Sequence, residues 1–110
     1  MRCGNMYEAG DIVISYVPFA DTDGLKVRPA VILFAAYGNI VMAGITCNPH
    51  MKGIPLTKED GVVEDSVIKT NYIFTASEAR IKKKVTKLSL SKRKLVFDSM
   101  VSHLHALISS

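Results

Sequence analysis

The 110-residue sequence predicts a mainly β fold: a small curled barrel with one α-helix packed on it at the C-terminal end. Three observations predict it. Five or six short apolar or alternating segments follow one another at close spacing. No helical pattern separates them, which argues against parallel βαβ architecture. The three-and-four spacing of apolar residues appears only after Ser89.

Taken in order, "DIVISYVPF" (residues 11–19) alternates apolar and small residues and reads as a strand ended by Pro18. "ADTDGLK" is a polar loop with a glycine turn. Its "DTDG" resembles the start of a calcium loop, but Leu25 occupies the fifth position and no glutamate follows at the required spacing. "RPAVILFAAY" and "NIVMAGITC" are apolar and β-branched, and Gly38-Asn39 between them predicts a hairpin turn. "KGIPLTK" fits a short edge strand, because Pro55 bars a central position. "SVIKTNYIFT" (residues 66–75) is another strand, and "ARIKKKVTKL" is a short basic one or a helical turn leading into one. After Ser89 or Ser91 as N-cap, Leu95, Val96, Met100, Val101, Leu104, Leu107 and Ile108 form the stripe of an amphipathic helix.

The length fits a single domain over residues 1–110. A hydrophobic fraction of 48% and a mean hydropathy of +0.20 are those of a globular chain. No apolar run reaches the roughly 18 residues of a membrane span. The opening "MRCGNMYEAGD" lacks a signal peptide's apolar middle, so a cytoplasmic location without membrane contact is expected. Cys3 and Cys47 are too few for a disulfide framework, and no Cys/His zinc spacing occurs, so neither metal nor cofactor is expected.

Net charge is +4, and eight of the 14 Lys and Arg residues fall in "RIKKKVTKLSLSKRK", Arg80 to Lys94. Such a stripe favours a polyanion or an acidic protein, or is an ordinary solvated face. His103 and His105 lie two apart on the terminal helix and read as surface residues, as do Glu59-Asp60 and Glu64-Asp65 in a loop.

Polar residues at strand ends are the candidates for chemistry. Arg28 opens one strand and Thr46 closes its hairpin partner. With the turn at Gly38-Asn39, residues whose numbers sum to about 77 lie opposite, which brings Arg28 near residue 49 and within reach of Thr46 to His50. Lys69 and Asn71, two apart on a strand, are expected on one face. A cation, a hydroxyl and an imidazole on one rim would suit a phosphate.

The segments "AGDIVISYVPFADTDGLKVRPAVIL", "AGIT", "IPLTKEDG", "SVIKTNYIFT" and "VTKLS", in that order, resemble the PemK/MazF family of toxin endoribonucleases over about residues 8 to 90. The most specific matches are Gly10 to Val13, Pro18 to Gly24 and Arg28-Pro29-Ala30. The resemblance implies an SH3-like β-barrel with a C-terminal helix, forming a homodimer that cleaves single-stranded RNA without metal and is neutralised by an antitoxin with an acidic tail. It implies that Arg28 is the catalytic arginine and Thr46 the catalytic threonine, with Cys47 where serine is usual. It also implies arginine and aspartate where this chain has Lys69 and Asn71. Lysine keeps the charge without the planar fork, and asparagine cannot accept a proton as a carboxylate does. The chemistry then rests on Arg28 and Thr46, or the protein is slow or inactive.

The mechanism expected on that basis is attack of a ribose 2′-hydroxyl on the adjacent phosphate, giving 2′,3′-cyclic phosphate and 5′-hydroxyl ends. Arg28 stabilises charge on the phosphorane, Thr46 holds a phosphate oxygen or orients the hydroxyl, and His50 is left by elimination as the base. Lys69, Asn71, Lys82, Lys83 and Lys84 are expected to bind the RNA. Two rival functions remain: a non-catalytic nucleic-acid-binding barrel, and a barrel toxin that inhibits a topoisomerase through its terminal helix. Met42, Ile45 and Met51 are apolar beyond core needs and are expected at the dimer interface.

Overall fold

Consecutive apolar residues within 11–17, 30–33 and 40–45, pointing to both sides of their strands, dictate a sheet that is packed on both faces there. The computed structural model describes residues 7–17, 26–48 and 50–109. Pro18, Phe19, the "ADTDG" loop, Cys3 and Pro49 lie outside them. Among the described residues six strands, β1 (Asp11–Val17), β2 (Lys26–Ala36), β3 (Asn39–Thr46), β4 (Ile54–Leu56), β5 (Ser66–Ala76) and β6 (Ile81–Lys87), precede one α-helix, α1 (Leu90–Leu104). They form one curled antiparallel sheet, a half-barrel in the order β4-β5-β3-β2-β1-β6. Pro55 is on an edge strand as expected, where its missing N–H costs no ladder bond.

One face gathers Ile12, Val31, Ala43, Ile45 and Ile68 with Leu56, Leu88 and Val96 of α1. The other gathers Val13, Val17, Ala30, Ile32, Met42 and Phe74 with Ile81 of β6. The alternation along β1 and β2 therefore divides one apolar run between two cores. Met42 and Ile45 are fully buried in these cores. They are not free for a dimer interface, contrary to the sequence expectation.

The hairpin turns one residue earlier than expected. Tyr37 (φ 53°) and Gly38 (φ 82°) both take positive φ, which a two-residue I′ turn requires and which lets the strands keep their twist. Paired numbers therefore sum to 75 beside the turn, as in Ala36↔Asn39, and to 74 past an irregularity at Leu33, as in Ala30↔Gly44.

β5 carries a second departure. Ala43 pairs with Ile73, but the next residue, Gly44, pairs with Lys69, so residues 70–72 bulge out of the ladder. The bulge is where α1 docks: Thr70 Oγ1 lies 2.7 Å from Ser99 Oγ and 3.0 Å from His103 Nε2. Gly53 allows β4 to approach β5, because a Cβ there would sit 2.2 Å from the Ile68 carbonyl oxygen.

Ser89 caps α1, its Oγ accepting from the Lys92 amide at 3.3 Å. The inward face is Val96, Ser99, Met100 and His103, at i, i+3, i+4 and i+7. The expected apolar stripe is therefore only partly covered. Leu95, Phe97, Val101 and Leu104 stay 46–64% exposed. Phe97, Val101 and Leu104 line an apolar groove of about 330 Å³ with Leu33 and Phe34 of β2.

Candidate functional site

Arg28 lies on β2 opposite Ser15 of β1, where the apolar run meets solvent. Continuing the β2–β3 pairing sum of 74 by two residues sets it level with Thr46 rather than residue 49. Its side chain is exposed and makes no hydrogen bond or ion pair with any described residue. It lines a groove of about 300 Å³ with Cys47, Glu64 and Ser66, over a floor that includes Ile12 and Ile45. Arg28 thus offers a charged fork at a groove whose floor is apolar.

Cys47 and Glu64 are brought together by strand pairing. β3 and β5 pair with sums of 113, as in Ile45↔Ile68 and Thr46↔Val67, so the next residue, Cys47, comes level with Ser66. The Cys47 thiol donates to Glu64 Oε1 at 3.1 Å and lies 3.6 Å from Ser66 Oγ. Ser66 in turn donates to the Glu64 backbone carbonyl at 2.8 Å. The hydrogen bond to Glu64 pushes the thiol's pKa up, outweighing the opposing pull of Ser66 and of the Arg28 charge. Cys47 is therefore a neutral thiol and a donor at pH 7. Glu64, expected to be merely solvated, is a groove residue. The signal that could have found it was its place beside Ser66, at the head of the strand that pairs with β3.

The remaining candidates divide. Thr46 Oγ1 accepts from the Asn48 amide at 3.2 Å, and Asn48 Oδ1 accepts from the His50 amide at 2.9 Å. These bonds make a tight turn just past β3, a role for Asn48 that the sequence reading missed. His50 is exposed on that turn and is not among the residues that line the groove.

Lys69 and Asn71 do not share an environment, because the β5 bulge falls between them: Lys69 is buried and Asn71 exposed. Lys69 Nζ donates to the Lys52 carbonyl at 2.9 Å and stands 5.3 Å from the Tyr72 ring centre. It braces the 50–53 turn from inside, where the sequence predicted a binding surface.

The basic stripe is not one face either. Lys84 Nζ lies 3.4 Å from Oδ1 of the buried Asp11, and Lys87 Nζ lies 3.8 Å from the same oxygen. No hydrogen bond of good geometry from a described residue reaches that oxygen, and the two ammoniums serve it by charge. Lys92 donates to the Pro55 carbonyl and pairs with Asp60 at 3.7 Å. Asp60, expected to be solvated, also closes a capping box with Thr57. Lys82 sits 5.8 Å from the Tyr16 ring centre. Lys83 pairs with Ile14, itself a groove residue, which puts Lys83 on the groove side of the sheet.

No protein-family model matches the sequence, and no curated protein matches it. Solved structures match the fold closely. The toxin MazF-mt6 of Mycobacterium tuberculosis superposes with a TM-score of 0.72 at 18% identity, over 86% of this chain and 96% of that one. A MazE-MazF structure from Deinococcus radiodurans (form III) gives 0.71 at 17% identity, over 92% and 98%. An endoribonuclease in complex with its cognate antitoxin, from a mycobacterial species, gives 0.70 at 8% identity, over 90% and 95%. A curled six-stranded sheet with a terminal helix on one face, matched along nearly its whole length, gives this chain the fold of the MazF toxins.

Proposed function

We propose that this protein is the toxin of a toxin–antitoxin module, an endoribonuclease that cleaves single-stranded RNA at short sequences. One observation carries the reading: on the fold of the MazF toxins, Arg28 stands exposed and without a hydrogen bond or ion pair to any described residue, at a groove of about 300 Å³. An RNA 2′-hydroxyl attacks the adjacent phosphorus, so that the O2′–P bond forms as P–O5′ breaks. Arg28 holds the negative charge that builds on the non-bridging oxygens. Thr46, level with Arg28 by continuation of the strand register but not among the residues that line the groove, orients the phosphate from the groove's edge. Products are a 2′,3′-cyclic phosphate and a 5′-hydroxyl, and no metal takes part.

Lys83 on the groove side and Lys82 beyond it extend the positive surface along the RNA. The same cations suit the acidic tail of an antitoxin, so partner and RNA exclude each other. The exposed face of Phe34, Phe97, Val101 and Leu104 supports a second copy of the chain, giving a homodimer.

The test is incubation of the purified protein with mixed-sequence RNA in excess EDTA, followed by mapping of the cut ends. Arg28→Ala should remain folded and lose about 100-fold or more in rate, the scale of one lost oxyanion donor. Arg28→Lys should also be poor, because the planar fork is gone. Near-normal cleavage by folded Arg28→Ala, or 5′-phosphate products, would refute the reading.

A further inference from the structure

We infer that Glu64 is the proton acceptor for the 2′-hydroxyl and that Cys47 is the residue that positions it; the inference rests on the ribonuclease reading above. The attack needs a base within the groove, and the expected ones are misplaced. His50 stands on the neighbouring turn, outside the residues that line the groove, and Asn71 is an amide on the β5 bulge. The titratable groups that line the groove are Arg28 from β2, Cys47 after β3 and Glu64 before β5, while β1 and β6 contribute the apolar Ile14 and Val85. Among these, Arg28 is a cation and Cys47 a thiol engaged as a donor, which leaves the Glu64 carboxylate as the proton acceptor.

Its surroundings are those of a held base. Oε1 is occupied by the Cys47 thiol at 3.1 Å, and the backbone carbonyl of the same residue is fixed by Ser66 at 2.8 Å. No described lysine or arginine pairs with the carboxylate, and Oε2 has no hydrogen bond to any described residue. Arg28 lines the same groove without neutralising Glu64. One groove therefore carries a cation for the phosphate and an unneutralised carboxylate for the hydroxyl.

Protons balance as follows. Glu64 takes the 2′-hydroxyl proton as the O2′–P bond forms and the P–O5′ bond breaks. Water protonates the departing 5′-oxygen, and the hydroxide so formed takes the proton back from Glu64. Cys47 remains a protonated donor throughout, so serine can replace it and alanine cannot.

The test compares wild type, Glu64→Gln, Cys47→Ala, Cys47→Ser, His50→Ala and Arg28→Ala for RNA cleavage across pH, for RNA affinity and for melting temperature. Glu64→Gln should keep its fold and bind RNA, yet cleave about 100-fold or more slowly, the lower end expected for a lost general base. Its rate should lose the acid limb that wild type shows. His50→Ala should cleave within about threefold of wild type, far from the hundredfold a base is worth. Cys47→Ala should slow cleavage and move the acid limb, and Cys47→Ser should restore both. Cleavage by Glu64→Gln at near wild-type rate, with Arg28→Ala dead, overturns the base assignment and leaves the ribonuclease reading standing. Absence of cleavage by the wild type overturns both.

Discussion

Lys82 and Lys84 stand two residues apart in a run of like charge, yet reversing them should have unequal consequences. Lys84 Nζ is 3.4 Å from a carboxylate oxygen of Asp11, whose side chain is 1% exposed against 45% for Lys84. A pair at that separation is worth about 5 kcal/mol at an effective dielectric of 20 and about 1 kcal/mol in bulk water. The half-exposed ammonium draws the value toward the lower end, and Lys87 at 3.8 Å shares the load. Lys84→Glu removes the attraction and sets a second carboxylate beside one that cannot reach water. The expected loss is about 2–3 kcal/mol, the scale of exposing a buried charge to an unfavourable neighbour.

For a domain of this size that is a fall of about 8–15 °C in melting temperature. Lys82→Glu gives up only an exposed contact with Tyr16, worth about 0.5–1 kcal/mol. Lys84→Met, which removes attraction without adding repulsion, should fall between. Thermal melts followed by circular dichroism at neutral pH measure all three. A Lys84→Glu protein that melts within about 2 °C of Lys82→Glu, well inside the shift expected for 1 kcal/mol, would refute the reasoning. RNA affinity should show the reverse emphasis, with Lys82→Glu and Lys83→Glu weakening binding in low salt at little cost in stability.

Gly53→Ala should destabilise by about 2–4 kcal/mol in urea unfolding, because its Cβ meets the Ile68 carbonyl and Val67 Cγ1 at 2.2 and 2.5 Å and the β4 backbone must retreat; wild-type stability would show that β4 does not approach β5 this closely. Thr70→Val should cost about 1–2 kcal/mol by leaving Ser99 and His103 without their shared partner, and hydrogen exchange should quicken across α1 rather than in β1 and β2. Alkylation of Cys47, read by mass spectrometry of its peptide, should be slower at pH 8 than for an ordinary thiol, since the raised pKa lowers the thiolate fraction. Glu64→Ala removes the acceptor that is the largest cause of that rise, so the pKa falls and alkylation should accelerate; an unchanged rate would break the Cys47–Glu64 pairing. Val101→Asp should convert a dimer to a monomer in sedimentation at micromolar concentration if the α1 groove is the self-association face, and a Val101→Asp dimer would move that interface elsewhere.

The sequence by itself determined the features that depend on a few neighbouring residues. Period-two apolar runs made the strands, Pro55 consigned β4 to an edge, Ser89 began the helix, and Arg28 was set where an apolar run meets water. Tertiary structure decided what depends on partners distant in the chain. The turn moved to Tyr37-Gly38 because both residues can hold the positive φ that the strand twist demands, and with the irregularity at Leu33 the register brings Arg28 level with Thr46. The β5 bulge opened where α1 had polar side chains to satisfy, and it sent Lys69 inward while Asn71 stayed out. Lys84 joined a buried carboxylate that nothing in its own stretch announced. Cys47 and Glu64, 17 residues apart, look unrelated along the chain. Only the pairing of β3 with β5 brings them together, because a hydrogen-bonded ladder fixes which residues stand opposite and local pattern fixes only which way each one points.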